Sequence, residues 1–110
     1  MDFDEYQSRT SDTLVESENV SILLARMALG LTGESGEVAE KVKKVLRDNN
    51  GVLTPEIAQQ IAAELGDVLW YLARLSDMCG VNLTDIAKQN LDKLKSRQLR
   101  DQIKGSGDDR

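Results

Sequence analysis

Two short acidic ladders hold most of the chemistry this chain can offer. Glu34-Ser35-Gly36-Glu37 and Glu64-Leu65-Gly66-Asp67 each place two carboxylates at i and i+3 inside a long apolar-striped stretch. A helix turns about 100° per residue, so each pair projects from one face within a single turn. If the two helices pack side by side, the four acids can converge, and like-charge repulsion forbids such a cluster unless a cation sits among them. The chain has no histidine, which removes the usual acid/base at neutral pH and the commonest zinc ligand. Any metal site is therefore oxygen-rich, and that favours magnesium, manganese or calcium.

The helical wheel sharpens this placement. With Leu31 at the centre of its apolar stripe, Glu34 falls roughly 60° to one side and Glu37 roughly 120°. Glu34 thus stands at the core margin and Glu37 just beyond it. On the other helix Gln60, Glu64, Asp67 and Tyr71 occupy an arc of roughly 60° beside the stripe. Carboxylates at a core margin cost free energy unless they are paired or metal-bound. The plain alternative is an exposed helix face on which Glu34 or Glu37 answers Lys41 or Lys44. Gly30, Gly33, Gly36 and Gly66 form neither a Walker loop nor a dinucleotide fingerprint. Each glycine costs about 1 kcal/mol against alanine inside a helix, so several together point to close approach of another backbone or of a ligand.

Further along, Asn90 lies amid the stripe of Leu83, Ile86, Ala87 and Leu94, where an amide needs partners. It is either a satisfied core residue or a ligand contact. Lys93 and Arg97 follow on the same side, a row that suits phosphate oxygens or, unpaired, forms a solvated face.

These residues need helices to hold them. A first helix is expected over Asp4 to Leu14, with a break at Glu16 to Asn19. From Val20 or Ser21 the apolar positions Leu24, Met27, Leu31, Val38, Val42 and Val45 recur at three, four and seven, which predicts a long amphipathic helix ending near Asp48 to Gly51. Thr54-Pro55-Glu56 reads as a helix start. That third helix runs to about Cys79 and stops at Gly80, with Ile57, Ile61, Leu65, Val68, Leu69 and Leu72 on one side and Trp70 nearly opposite. Apolar on two sides, it is expected to be buried on two sides. A fourth helix starts at Asn82 or Thr84 and ends near Gln98. Neither an internal repeat nor strand-like alternation interrupts this pattern, so the expected fold is an all-α small bundle of about four helices completed by oligomerisation. Residues 1–104 form one domain and 105–110 a flexible tail.

The totals narrow the function. A chain of 110 residues is one modest domain. Its net charge of −5 argues against a grip on nucleic acid polymers. No apolar run approaches the roughly 20 residues of a membrane span, the acidic N-terminus is no secretory signal, and lone Cys79 forms no intrachain disulfide. A soluble, cytoplasmic protein is the expectation.

At this point the sequence resembles the MazG-type nucleotide pyrophosphohydrolases of the all-α NTP pyrophosphatase superfamily. The run from Gly30 to Lys44, with Glu34 and Glu37, and that from Glu64 to Leu72, with Asp67 and Tyr71, match the family pattern E-x-x-E, spacer, E-x-x-D. Asn90 to Arg97 resembles its downstream segment, and Gly105-Ser106-Gly107-Asp108 is similar to its tail. The resemblance covers most of the chain from about Leu24. It implies bundles shared between subunits, as dimers or tetramers, and hydrolysis of a (d)NTP to (d)NMP and pyrophosphate. It also implies that Glu34, Glu37, Glu64 and Asp67 hold magnesium, with manganese as a substitute. Lys93 and Arg97 would face the phosphates, while Asn90 and Tyr71 resemble nucleotide contacts.

The residues agree with that role. Metal ions held by the carboxylates can bridge an acidic pocket and a triphosphate, orient a water toward the α-phosphorus and offset charge on the leaving group. Any one of the four carboxylates, or metal-bound hydroxide, could activate that water, with Glu37 a reasonable choice from its position off the stripe. No residue offers itself as an activated nucleophile, so direct water attack is favoured over a covalent intermediate. A house-cleaning enzyme for the nucleotide pool is the leading reading. Phosphoribosyl-ATP or dUTP pyrophosphatase activity, and a non-catalytic metal- or nucleotide-binding regulatory bundle, are the alternatives.

Overall fold

The computed structural model of the chain describes residues 1–15, 19–101 and 103–110. It is all-α: helices α1 (Phe3–Thr10), α2 (Val20–Asp48), α3 (Pro55–Met78) and α4 (Leu83–Leu99), with a short 3-10 turn at Ser11–Thr13 after α1 and no strand among the described residues. The first helix is thus shorter than its expected span, because its last turn tightens into that 3-10 segment. Of the expected break at 16–19, residues 16–18 lie outside the described residues. Asn19 caps α2 by accepting the Ile22 N–H at 2.9 Å.

The long helices α2 and α3 form the frame. Asn50 and Gly51 carry φ of 52° and 76°, and the Gly51 N–H donates back to the Val45 carbonyl at 3.0 Å. That left-handed turn reverses the chain, as the asparagine-glycine pair predicts. Thr54 then accepts the Ile57 N–H at 3.3 Å, with Pro55 at the first helical position. Lys41 comes opposite Glu64, and Val45 shares a cavity with Ile57 and Gln60, so α2 and α3 run antiparallel.

Helix α1 locks the far corner. The Arg74 guanidinium, buried, donates to Thr10 Oγ1 and the Gln7 carbonyl at 2.8 Å each, and pairs with Asp77. The Gln7 amide donates to Asp77 Oδ1 at 2.6 Å and to the Val81 carbonyl at 2.9 Å. Its oxygen accepts the Leu83 N–H at 2.7 Å. One side chain therefore supplies the acceptor that a helix start lacks. Of the two residues expected to start α4, Asn82 occupies the cap position, though without a side-chain bond, and Thr84 donates to Asp4 at 2.9 Å.

The core within one chain is thin. Among the described residues Met27, Val45 and Ala73 are the buried apolar ones, while Leu24 and Val42 of the α2 stripe and Leu65 and Leu72 of the α3 stripe remain exposed. Helix α4 packs on α1 and α3 and leaves Ile86, Leu91 and Leu94 exposed.

Candidate active site

Antiparallel packing brings the two acidic ladders together. Glu34 from α2 and Glu64 and Asp67 from α3 each present a carboxylate oxygen within 4.8 Å of the others. The carboxyl of Glu34 is held above the ordinary value of 4.5, first by burial and then by the charges of Asp67, Glu64 and Glu37. Desolvation leads and the neighbouring carboxylates add to it, as expected where acids gather at a core margin. Glu37, exposed, stands outside the trio but near enough for its charge to act on Glu34. Three hard oxygen donors at this spacing suit a divalent cation such as magnesium or manganese better than a soft one.

Around the trio the sequence expectations meet mixed outcomes. Lys41 answers neither Glu34 nor Glu37 but reaches across to Glu64, with Nζ 3.6 Å from Oε1. Tyr71 stacks on Gly30: a Cβ there would stand 2.1 Å from Tyr71 Cε1 and 2.3 Å from Cζ. At Gly33, Gly36 and Gly66 an added Cβ would meet nothing within 4 Å. Close approach therefore explains one glycine of the four, and that approach is by a side chain. Tyr71 and Trp70 meet edge to face with centroids 5.0 Å apart.

A cavity of about 290 Å³ adjoins the acids, lined by Thr13, Glu34, Asp67, Trp70 and Tyr71. A larger one of about 420 Å³ lies on the α1 side and shares Thr13 and Trp70 with it. The Trp70 indole N–H donates to Thr13 Oγ1 at 2.8 Å. Tyr6 lines the larger cavity, its hydroxyl pushed above the ordinary value by burial and then by Asp67. Tyr6 and Thr13 were not legible as site residues, since only packing of α1 on α3 brings them to the acids.

The fourth-helix residues are placed otherwise. Asn90 is exposed and lines an apolar cavity of about 270 Å³ with Phe3, Leu69, Leu83, Ile86 and Ala87. It is not a buried core amide, because α1 covers only part of the α4 stripe. Lys93 Nζ donates to Asp108 Oδ1 at 2.6 Å, and the buried Arg97 donates to the same oxygen at 3.1 Å and to the Asp108 carbonyl at 2.5 Å. These bonds, Lys93 before Arg97, hold the Asp108 carboxyl below its ordinary range. The cation row binds an anion, and in this chain that anion is a carboxylate of its own tail.

The fold and the acidic trio define a helical protein with a cluster of carboxylates that could hold a cation beside an aromatic cavity. Residues 24–100 match the MazG nucleotide pyrophosphohydrolase domain model, and the chain belongs to that family. The "Gene 37 protein" of Mycobacterium phage L5 is 44% identical over 115 aligned residues, spanning 100% of both chains. The "Uncharacterized protein YvdC" of Bacillus subtilis (strain 168) is 35% identical over 72 residues, 61% of this chain and 68% of that one. No solved structure gives a significant match. No helix is long and apolar enough to cross a membrane among the described residues.

Proposed function

We propose that the chain is a divalent-metal-dependent nucleoside triphosphate pyrophosphohydrolase that converts a (d)NTP to (d)NMP and pyrophosphate. The observation that carries this reading is the convergence of Glu34, Glu64 and Asp67 oxygens within 4.8 Å beside an open cavity. Bound there, magnesium or manganese supplies charge neutralisation and polarisation of phosphate oxygens. The chain's own part is to hold that charge with the trio and to keep Glu37, outside it, as the base that takes a proton from water. Water oxygen bonds to the α-phosphorus as the bridge to the β-phosphate breaks, and pyrophosphate carries away the bond's electron pair. Tyr71 and Trp70 offer the aromatic surface for the nucleoside, with Asn90 a further contact and Lys93 and Arg97 meeting phosphate once Asp108 leaves them.

The reading takes residues 1–104 as one catalytic domain, 105–110 as a tail, and a dimer or tetramer as the working form. Pool house-cleaning is its proposed purpose in the cytoplasm. Purified protein incubated with each triphosphate and magnesium should release pyrophosphate. Release of orthophosphate instead, or no release above an Asp67→Asn control, would overturn it.

A further inference from the structure

The groove between α2 and α3 continues past the acids. Beyond Glu64 a separate cavity of about 240 Å³ opens between the helices, walled by Lys41, Lys44 and Gln60 over an apolar floor of Val45 and Ile57. Its one acid, Asp48, is already taken: Arg47 grips both its oxygens at 2.7 and 2.8 Å. The other nearby acid, Glu40, pairs with Lys43 at 3.1 Å. Lys44 makes no ion pair among the described residues, and its charge adds only a lesser share, behind Lys43 at Glu40 and behind Arg47 at Asp48, to the lowering of those two carboxyls. Lys41 stands at the boundary, and its 3.6 Å from Glu64 exceeds the roughly 2.7–2.9 Å of a charge-assisted hydrogen bond. That loose contact leaves its ammonium able to take a second anion.

The groove is therefore graded along its length: aromatic at Trp70 and Tyr71, acidic at the trio, basic at Lys41 and Lys44. A nucleoside triphosphate has the same order of chemistry, with an aromatic base, a reacting phosphorus that needs a cation, and a terminal polyanion. We propose that the Lys41–Lys44 cavity is a polyphosphate subsite that receives the terminal two phosphates, so that the substrate lies along the groove with its nucleoside toward Trp70. This rests on the reaction proposed above for the choice of a triphosphate over another polyanion. The lysines of α2 border the groove directly and need no carboxylate displaced first, whereas Lys93 and Arg97 reach phosphate only once Asp108 leaves them. The plain alternative is a solvated lysine face that offsets the chain's negative charge.

Calorimetric titration of the full chain in magnesium decides between these, with inorganic pyrophosphate and a nucleoside monophosphate as separate probes. Lys41→Met and Lys44→Ala should each weaken pyrophosphate binding roughly ten- to a hundredfold, the loss expected for one charge-assisted contact. Monophosphate binding and magnesium binding should stay within about twofold. Lys43→Ala, the neighbouring lysine paired with Glu40, should behave as wild type. Should Lys41→Met disturb magnesium by freeing Glu64, Lys44→Ala settles the matter, since Lys44 pairs with none of the trio. No pyrophosphate binding by the wild type, unchanged binding in Lys44→Ala, or equal weakening in Lys43→Ala overturns the subsite. Lysine-dependent pyrophosphate binding in a protein that turns over no triphosphate would retire the reaction and leave the subsite standing; turnover indifferent to Lys44 does the reverse.

Discussion

Gly30 and Asp67 show how differently single positions in one groove are constrained. Alanine at Gly30 would gain about 1 kcal/mol of helix propensity, yet its Cβ would overlap the Tyr71 ring at 2.1 Å, and overpacking costs about 1–3 kcal/mol. Gly30→Ala should melt earlier than wild type and lose activity through a displaced Tyr71. Gly33→Ala, with open space around it, should melt later. Thermal unfolding of both variants tests the pair. At Asp67 the constraint is charge. Asp67→Asn should abolish turnover and the stabilisation by magnesium, but raise the melting temperature of the metal-free protein by relieving repulsion on Glu34. The sign with pH follows from Glu34, whose carboxyl lies above 4.5 in the fold through burial and then the neighbouring acids. Its stabilising contribution is complete below the unfolded value and is lost as pH rises through the folded one. Metal-free wild type should therefore lose stability over that rise, and Asp67→Asn should lose less. An equal pH slope in the two proteins would remove the trio's repulsion from the account.

The elements differ in how far the sequence reveals them. Helices α2 and α3 are legible because their apolar residues keep helical period over many turns and their ends carry local signals, Asn50-Gly51 and Thr54-Pro55. The same periodicity set Glu34, Glu64 and Asp67 on facing margins, so the trio was legible too. Helix α1 was visible as a helix but not as a clamp, because Arg74 reaches the Gln7 carbonyl by a hydrogen bond across 67 residues of chain. No local pattern encodes that contact. Gln7→Leu should strip acceptors and donors from Asp77, Val81 and the start of α4 and cost about 2–3 kcal/mol, read by denaturant unfolding. Activity should fall with it, since α1 carries Tyr6 to the acids. The cation row on α4 was legible as a row, while its partner Asp108 was not. Lys93→Ala, removing a partly exposed charge, should change stability by less than about 1 kcal/mol, whereas loss of the buried Arg97 should lower the melting temperature clearly. A ten- to hundredfold fall in kcat/KM in both variants supports phosphate contact, on the order of 1.5–3 kcal/mol each. Normal kinetics in both assigns the pair to the tail.

The whole molecule is too open for its mass. Its accessible surface is 7956 Å² and its radius of gyration 16.9 Å. A compact monomer of 12.2 kDa would expose about 6,100 Å² with a radius near 13 Å, from the scaling of folded proteins. The excess, about 1,900 Å², is more than double the roughly 800 Å² that each partner of a standard interface buries. Much of the exposed surface is apolar where a soluble helix would be polar: Leu91 is 65% exposed on α4, with Leu94 one turn on, and Leu65 is 51% exposed on α3 with Leu72 two turns on. At about 25 cal/mol per Å², covering even half of the excess offers on the order of 20 kcal/mol before the costs of association are subtracted. Self-association is the expected outcome, and it also gives α3 the second buried side its apolar pattern requires. Sedimentation at micromolar concentration should show a dimer or tetramer for wild type. Leu91→Glu places a charge on the α4 stripe away from the acidic trio, and should shift the protein toward smaller species with reduced thermal stability. A wild type that sediments as a folded, active monomer would sink the assembly, and would require that this thin core of Met27, Val45 and Ala73 be sufficient alone.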